Sequence, residues 1–207
     1  MSTTTIFFHD MSGSTGGVRQ YHKLSLQIYN EHVKNKDHII VGWDDKYKVF
    51  NDNTYISMCN MMKGYCGTLT SQIGNYLSTL NSTNSLELII ITDGQVDISD
   101  IAKCDNYVSN LKLDIKKVTA YVSSNQTPNC SVFAPFMRGS WDCEIFYDNQ
   151  SDYSKIKPIY SLNQKERNEL MNIVKTATTE EEINAVFDKL IDMVTAITMG
   201  KKMVILI

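Results

Sequence analysis

The sequence lacks any excess of basic residues and any long apolar segment, and these absences argue against two classes of function. Its 207 residues include 20 Lys and Arg against 23 Asp and Glu, without the surplus positive charge that binding to a phosphate backbone requires. No stretch approaches the roughly 20 apolar residues that span a bilayer, and the first residues lack the basic leader of a signal peptide. We therefore expect a cytoplasmic protein that neither binds nucleic acid nor inserts into a membrane.

Cysteine and proline are also sparse. The five cysteines stand at positions 59, 66, 104, 130 and 143 without a Cys-x-x-Cys pair, which argues against a disulfide framework and against a zinc site. The four histidines, at positions 9, 22, 32 and 38, show no metal-ligand spacing either. The three prolines all lie beyond residue 125, so nothing in the first half of the chain forbids regular strands and helices.

Strand and helix patterns alternate along the chain. Residues 86–92 form a nearly continuous apolar run, as expected of a parallel strand covered on both faces. Further strands are predicted at 3–9, 38–43, 47–50, 118–123 and 143–147, and helices at 17–32, 71–80, 98–111, 163–176 and 180–198. This alternation predicts an α/β class with a doubly wound sheet, in a single domain over residues 1–200 followed by a hydrophobic tail at 201–207.

Oxygen-bearing side chains follow two of the predicted strands. Asp10, Ser12 and Ser14 come directly after the first strand, and Asp93 follows the central one. Ligands of doubly wound sheets bind beyond the carboxyl ends of the strands, and hydroxyl and carboxylate oxygens suit a hard cation such as Mg²⁺. The same residue types are also common in turns and helix caps, where they make only local hydrogen bonds.

Taken together, the motifs DMSGS, YCGTLT and IIITDG resemble the metal-ion-dependent adhesion site (MIDAS) of the von Willebrand factor A (VWA) family. The resemblance implies that Ser12, Ser14 and Thr68 bind the metal directly or through water, while Asp10 and Asp93 act mainly through water. Thr70 is a near neighbour that could take the place of Thr68. The resemblance to this family also implies a Rossmann-like, mostly parallel six-stranded sheet in the order 3-2-1-4-5-6, with the third strand antiparallel.

The function predicted from these residues is metal-dependent protein binding without catalysis. A Mg²⁺ or Mn²⁺ ion would bridge to an Asp or Glu of a protein partner. One alternative is a self-assembling scaffold with a vestigial metal site, which would form a homo-oligomer through residues 201–207. Another is a Mg²⁺-dependent phosphatase with Asp10 as nucleophile, although Ser12 occupies the place where a second carboxylate is usually needed as general acid. The methionines at 58, 61 and 62 are interpreted either as core residues or as an adaptable partner surface.

Overall fold

Seven β-strands form one mixed sheet in the computed structural model, which describes residues 2–81, 84–96, 98–124, 130–137, 142–148 and 157–161. Along the sheet the order is β3-β2-β1-β4-β5-β6-β7. The five central strands are parallel, whereas β3 and β7 pair antiparallel at the two edges. The strands are β1 (Thr3–Asp10), β2 (His38–Trp43), β3 (Tyr47–Phe50), β4 (Ser85–Thr92), β5 (Ile115–Ser123), β6 (Asp142–Asp148) and β7 (Lys157–Ser161).

The predicted α/β class is confirmed, but the sheet has seven strands rather than six. The additional strand, β7, has only five residues and contains Pro158. Proline lacks the amide hydrogen needed inside a sheet, so such a segment fits only at an edge and gives a weak sequence signal. The first six strands follow the order 3-2-1-4-5-6.

Helices connect the parallel strands. After β1 come α1 (Arg19–Ile28) and a π-helical turn at Tyr29–Val33, and α2 (Asp52–Asn60) follows β3. The other helices are α3 (Ser71–Ser78), α4 (Ile98–Ser109) and a short α5 (Ala134–Met137) that continues a 3₁₀ turn at Cys130–Phe133. Helix α2 was not predicted. It is capped by Asn51, whose side chain accepts a hydrogen bond from the Thr54 amide at 2.9 Å.

The core consists of two apolar clusters, one on each face of the sheet. Because side chains alternate along a strand, Ile6 and Phe8 of β1 enter one cluster and Phe7 enters the other. The Ile6 cluster packs beneath α3 and α4, and the Phe7 cluster beneath α1 and α2. A sheet covered on both faces leaves the ends of its strands as the exposed place for polar side chains to gather.

Several predictions from the sequence fall on residues that the structure does not describe. These are the helices at 163–176 and 180–198, the tail at 201–207 and the domain boundary at residue 200. Within the described ranges, no helix has the length and apolar character to cross a membrane. The described cysteine side chains, those of Cys59, Cys66 and Cys104, are free thiols.

Candidate metal centre

Hydrogen bonds fix the loop that follows β1. The carboxylate of Asp10 accepts the amide of Ser12 at 2.9 Å, and the Thr15 hydroxyl donates to the Ser12 carbonyl at 2.9 Å. Tyr21, from α1, donates its hydroxyl to the Asp10 carbonyl at 2.9 Å. The loop therefore holds its shape through its own backbone and through α1, and its side chains are positioned before any ligand arrives.

Four of the five predicted site residues converge at the carboxyl ends of β1 and β4. The hydroxyls of Ser12 and Ser14 lie 2.9 Å apart, and Ser14 is near enough to the carboxylate of Asp93 to act against the rise of its pKa. Asp10 reaches the same strand end, because its Oδ2 accepts the Thr92 hydroxyl at 2.6 Å. Asp93 Oδ1 accepts the Gln95 amide at 2.9 Å, but its buried Oδ2 has no hydrogen-bond partner.

The electrostatics of the two carboxylates are unfavourable without a cation. Asp10 is fully buried, and burial together with the nearby charge of Asp93 raises its pKa to about 7. Burial likewise raises the pKa of Asp93. In the described ranges neither carboxylate forms an ion pair with Lys, Arg or His. A divalent cation would supply the missing positive charge and return both groups to the ionised form.

The donor atoms and the space fit a hard, oxygen-bound ion. A cavity of about 40 Å³ lies against Ser14, Thr15, Asp93 and Gln95, which exceeds the roughly 10–15 Å³ that a single water needs. Asp10 and Ser12 are buried, whereas Ser14 is half-exposed. The lining of the cavity does not include Asp10 or Ser12, so an ion in it would lie against the buried Asp93 and remain open on the side of Ser14.

Thr68 lies on a neighbouring loop, residues 61–70, and is not linked to the other four residues. This loop packs on the first one, since the Tyr65 amide donates to the Met11 carbonyl at 2.7 Å. Thr68 is half-buried, and in the described part of the chain its hydroxyl makes no hydrogen bond. The structure thus places Thr68 on an adjoining loop without fixing its hydroxyl in the site.

Thr70, the other candidate on this loop, has a structural role. It is fully buried, and its hydroxyl lies 3.5 Å from Asp100. Asp100 also accepts the Ser71 amide at 2.7 Å and the Ser71 hydroxyl at 2.8 Å, which caps the start of α3. Helix capping of this kind satisfies amides that have no partner inside the helix.

Two residues at this edge were missed in the sequence. Thr92, the last residue of β4, donates to Asp10 and also accepts the Gly94 amide at 3.1 Å. Asp44, directly after β2, is buried, and burial raises its pKa. Its carbonyl accepts the Leu69 amide at 3.0 Å, so Asp44 anchors the loop that carries Thr68. The only sequence signal for either residue was its position at a strand end.

The two loops approach so closely that a side chain at Gly64 cannot be accommodated. A Cβ there would lie 2.5 Å from the Gly16 Cα and 2.6 Å from the Ser12 carbonyl oxygen. We expect Gly64→Ala to force the loops apart and to lower the free energy of unfolding by about 1–3 kcal/mol. Urea unfolding measures this loss.

Gly17→Asn is the matched control for that substitution. Gly17 has a φ of 73° but nothing within 4 Å of a Cβ, and Asn tolerates the left-handed region. We expect this variant to lose about 1 kcal/mol or less. Equal losses in the two variants would contradict the close packing of the loops.

Comparisons with known proteins show a shared fold and no family. No family model matches the chain, and no curated protein matches it. The solved structure of the PilB minor pilin from Streptococcus sanguinis superposes with a TM-score of 0.55 at 12% identity, over 91% of this chain. A point mutant of that pilin gives 0.53 at 11% identity over the same share, and the chain spans 62% of the length of both. An aerotolerance-related membrane protein from Bacteroides fragilis gives only 0.40 at 13% identity, covering 93% of this chain and 98% of that one.

These comparisons contradict the predicted membership of the von Willebrand factor A family. No family model matches, and the minor pilin, as a solved structure similar at only 12% identity, establishes the fold alone. The three motifs are short, and Asp, Ser, Thr and Gly also occupy turns and caps for local hydrogen-bonding reasons. Their order along an α/β chain is therefore not evidence of this family. What stands is the contact geometry of Asp10, Ser12, Ser14 and Asp93.

Proposed function

We propose that this chain is a protein-binding module that holds Mg²⁺ or Mn²⁺ at Asp10, Ser12, Ser14 and Asp93. Thr68 is the fifth candidate ligand, on the adjoining loop. Through the ion the module would bind an Asp or Glu of a partner protein. The observation that supports this most directly is the buried Oδ2 of Asp93, which has no hydrogen-bond partner. Asp93 also lies near a second buried carboxylate, that of Asp10, and like charges repel.

The chemistry of the donors favours a hard ion. All four side chains offer oxygen, and Mg²⁺ and Mn²⁺ prefer carboxylate, hydroxyl and water oxygens. Two carboxylates would also balance the charge of one divalent ion. The hydroxyl oxygens of Ser12 and Ser14 lie 2.9 Å apart, so both can face one ion.

An incomplete coordination shell supports a role in binding. Mg²⁺ requires six oxygens in octahedral geometry, and these side chains supply only part of the set. The remaining positions would lie on the exposed side, because Ser14 is half-exposed whereas Ser12, Asp10 and Asp93 are buried. An acidic side chain of a partner can replace water there and gain both a charge interaction and a metal bond.

Exposed apolar side chains next to the site support a protein partner. Met61 is 53% exposed and Tyr65 is 45% exposed, and Met62 lies beside them in the same loop. Methionine and aromatic residues are enriched where proteins bind one another. Met58, by contrast, is buried in the core. The methionines at 61 and 62 therefore suit the interpretation as a partner surface, and Met58 suits the interpretation as a core residue.

The surroundings of Asp10 favour binding over phosphoryl transfer. Both of its carboxylate oxygens already accept hydrogen bonds, from the Ser12 amide and from the Thr92 hydroxyl, and the side chain is fully buried. A nucleophilic carboxylate needs one oxygen free to attack along an open path. We therefore propose that Asp10 orients the site and its bound water.

Selection of peptide ligands tests the proposed function. A displayed library of random peptides is enriched on immobilised protein in Mg²⁺ and eluted with EDTA. We expect the enriched peptides to contain an Asp or Glu whose replacement by Asn or Gln lowers affinity at least tenfold, because the metal then loses its charged ligand.

The double variant Ser12→Ala with Ser14→Ala is the control in this experiment. We expect it to retain the fold and to capture none of the EDTA-sensitive peptides. Peptides that bind equally well in EDTA and to the double variant would contradict the mechanism.

A further inference from the structure

We infer that His9, His22 and Cys59 form a second metal site, which binds a thiophilic ion such as Zn²⁺ inside the core. The three side chains come from β1, α1 and α2 and are all buried. One ligand atom from each lies within 4.8 Å of the other two. This site is independent of the proposed function, since it shares no ligand with the oxygen site.

Unpartnered nitrogen atoms point to a missing ligand. His9 Nε2 and His22 Nδ1 are both buried and have no hydrogen-bond partner. A buried polar atom without a partner is rare in folded proteins and calls for an explanation. Both rings belong to one buried cluster with the Cys59 thiol, so one metal ion would account for both nitrogens.

The other nitrogen of each ring has a hydrogen-bond partner that fixes the orientation of the ring. His22 Nε2 lies 3.1 Å from the Thr15 carbonyl, which can only accept, so Nε2 carries the hydrogen and the neutral ring keeps a lone pair on Nδ1. His9 Nδ1 lies 3.2 Å from the Tyr55 hydroxyl, which fixes that ring and leaves its Nε2 to the metal. Metal-bound histidines commonly donate their second nitrogen to a carbonyl or a polar side chain.

Two nitrogens and one sulfur select the metal. Imidazole and thiolate bind Zn²⁺, whereas Mg²⁺ prefers oxygen. Tetrahedral bond lengths of about 2.0–2.1 Å to nitrogen and 2.3 Å to sulfur place the three ligand atoms about 3.3–3.6 Å apart, so atoms within 4.8 Å of one another must close by at most about 1.5 Å, which small rotations of the three side chains can supply. A fourth tetrahedral position is left for water or an added ligand.

Zinc binding must displace one proton. Burial raises the pKa of the Cys59 thiol to about 12, so Cys59 is protonated near neutral pH. Zn²⁺ forms a bond to the sulfur as the S–H bond breaks and the proton leaves to solvent. Affinity should therefore rise as the pH rises, with one proton released per ion bound.

Cobalt titration tests the site in the full-length, reduced and metal-stripped protein. Co²⁺ bound to a thiolate gives a charge-transfer band in the near ultraviolet. We expect this band to saturate at one equivalent, with one further equivalent of Zn²⁺ removing it. We also expect zinc to raise the melting temperature. A tenfold excess of Mg²⁺ should leave the band unchanged, which separates this site from the oxygen site.

Cysteine-to-serine variants provide one test of the site and two matched controls. We expect Cys59→Ser to lose the band. Cys104→Ser should keep it, because Cys104 is an equally buried thiol whose pKa burial also raises to about 12, but it lies in the other core cluster. Cys66→Ser should keep the band as well. Because Cys66 is exposed, loss of the band in this variant would indicate adventitious binding at a surface thiol.

X-ray absorption of the unmodified zinc-loaded protein gives a result that does not depend on any variant folding. We expect a first shell with two nitrogens and one sulfur at about 2.3 Å. No cobalt band at one equivalent, a band that only Cys66→Ser removes, or a first shell without sulfur would each overturn the inference.

Discussion

Asp93→Asn is expected to make the metal-free protein more stable, by about 1–2 kcal/mol at pH 8. The substitution keeps the shape of the side chain and the Oδ1 atom that accepts the Gln95 amide. It removes a buried charge that lies near Asp10 and replaces the unpartnered oxygen by an uncharged amide nitrogen. Urea unfolding in EDTA measures the gain.

The physical reason is that a buried carboxylate with an unpartnered oxygen, near a second buried carboxylate, destabilises the metal-free fold, and the proposed ion would compensate for this cost. Strained or repulsive groups persist at functional sites because the ligand compensates them. At pH 5 the gain should shrink, since protonation already removes the repulsion between the two carboxylates.

Asp114→Asn is the contrasting control. Asp114 is exposed, and hydrogen bonds from Lys116 and Ser85 hold its pKa below the usual range. We expect this substitution to lower stability slightly, because it removes a favourable charge. A loss of stability in Asp93→Asn as well would contradict the electrostatic account of the site.

The second large effect is a pH dependence of the free energy of unfolding that is caused by Asp10. Its pKa is about 7 in the folded protein and near 3.9 in an unfolded chain. The stability it contributes is therefore fully present below pH 4 and is lost as the pH rises through 7. About three pKa units correspond to a loss of about 4 kcal/mol across this window.

Comparison with Asp10→Asn isolates this effect from other titrating groups. Burial lowers the pKa of His9 and of His22, which gives an opposite slope in the acidic range, but both proteins share those groups. We expect the stability of the wild type relative to Asp10→Asn to fall between pH 4.5 and 8 in EDTA, as measured by urea unfolding. Saturating Mg²⁺ should abolish that fall, because the ion keeps the carboxylate ionised. A constant difference across the range would contradict the raised pKa.

Much of the fold could be predicted from the sequence because its signals are local. The apolar run of β4 and the pair β2 and β3, joined by Asp44, Asp45 and Lys46, are confirmed in position. Helix α2 could not be predicted with equal ease, since only Tyr55, Met58 and Cys59 of its nine residues are buried. Its position depends on the Phe7 face of the sheet, which is set by tertiary contacts.

The candidate oxygen site was predictable for a different reason. Asp10 and Asp93 are 83 positions apart, yet the carboxyl ends of neighbouring parallel strands must meet at one edge, and β1 and β4 are neighbours. Thr68 lies in a loop whose course no such rule determines. The family inferred from these motifs was wrong because Asp, Ser and Thr serve local turns as readily as ligands.

The His9, His22 and Cys59 cluster could not be found by spacing. Its members are 13 and 37 positions apart on a strand and two helices, and only the packing of α1 and α2 with β1 in the Phe7 cluster brings them together. The sequence also does not show which nitrogens of the two histidines lack a hydrogen-bond partner. Which nitrogen is bonded depends on the folded backbone, as with the Thr15 carbonyl beside His22 Nε2.

A calorimetric titration of Mg²⁺ and Mn²⁺ into metal-stripped protein tests the central claim most directly. The wild type and Asp93→Asn are compared in a Cys59→Ser background, so that the thiol contributes no heat. The account predicts saturable binding at one site in the first protein and its loss in the second, because Asp93 supplies half of the charge that holds the ion. No saturable binding in the wild type, or equal binding in both proteins, would contradict it.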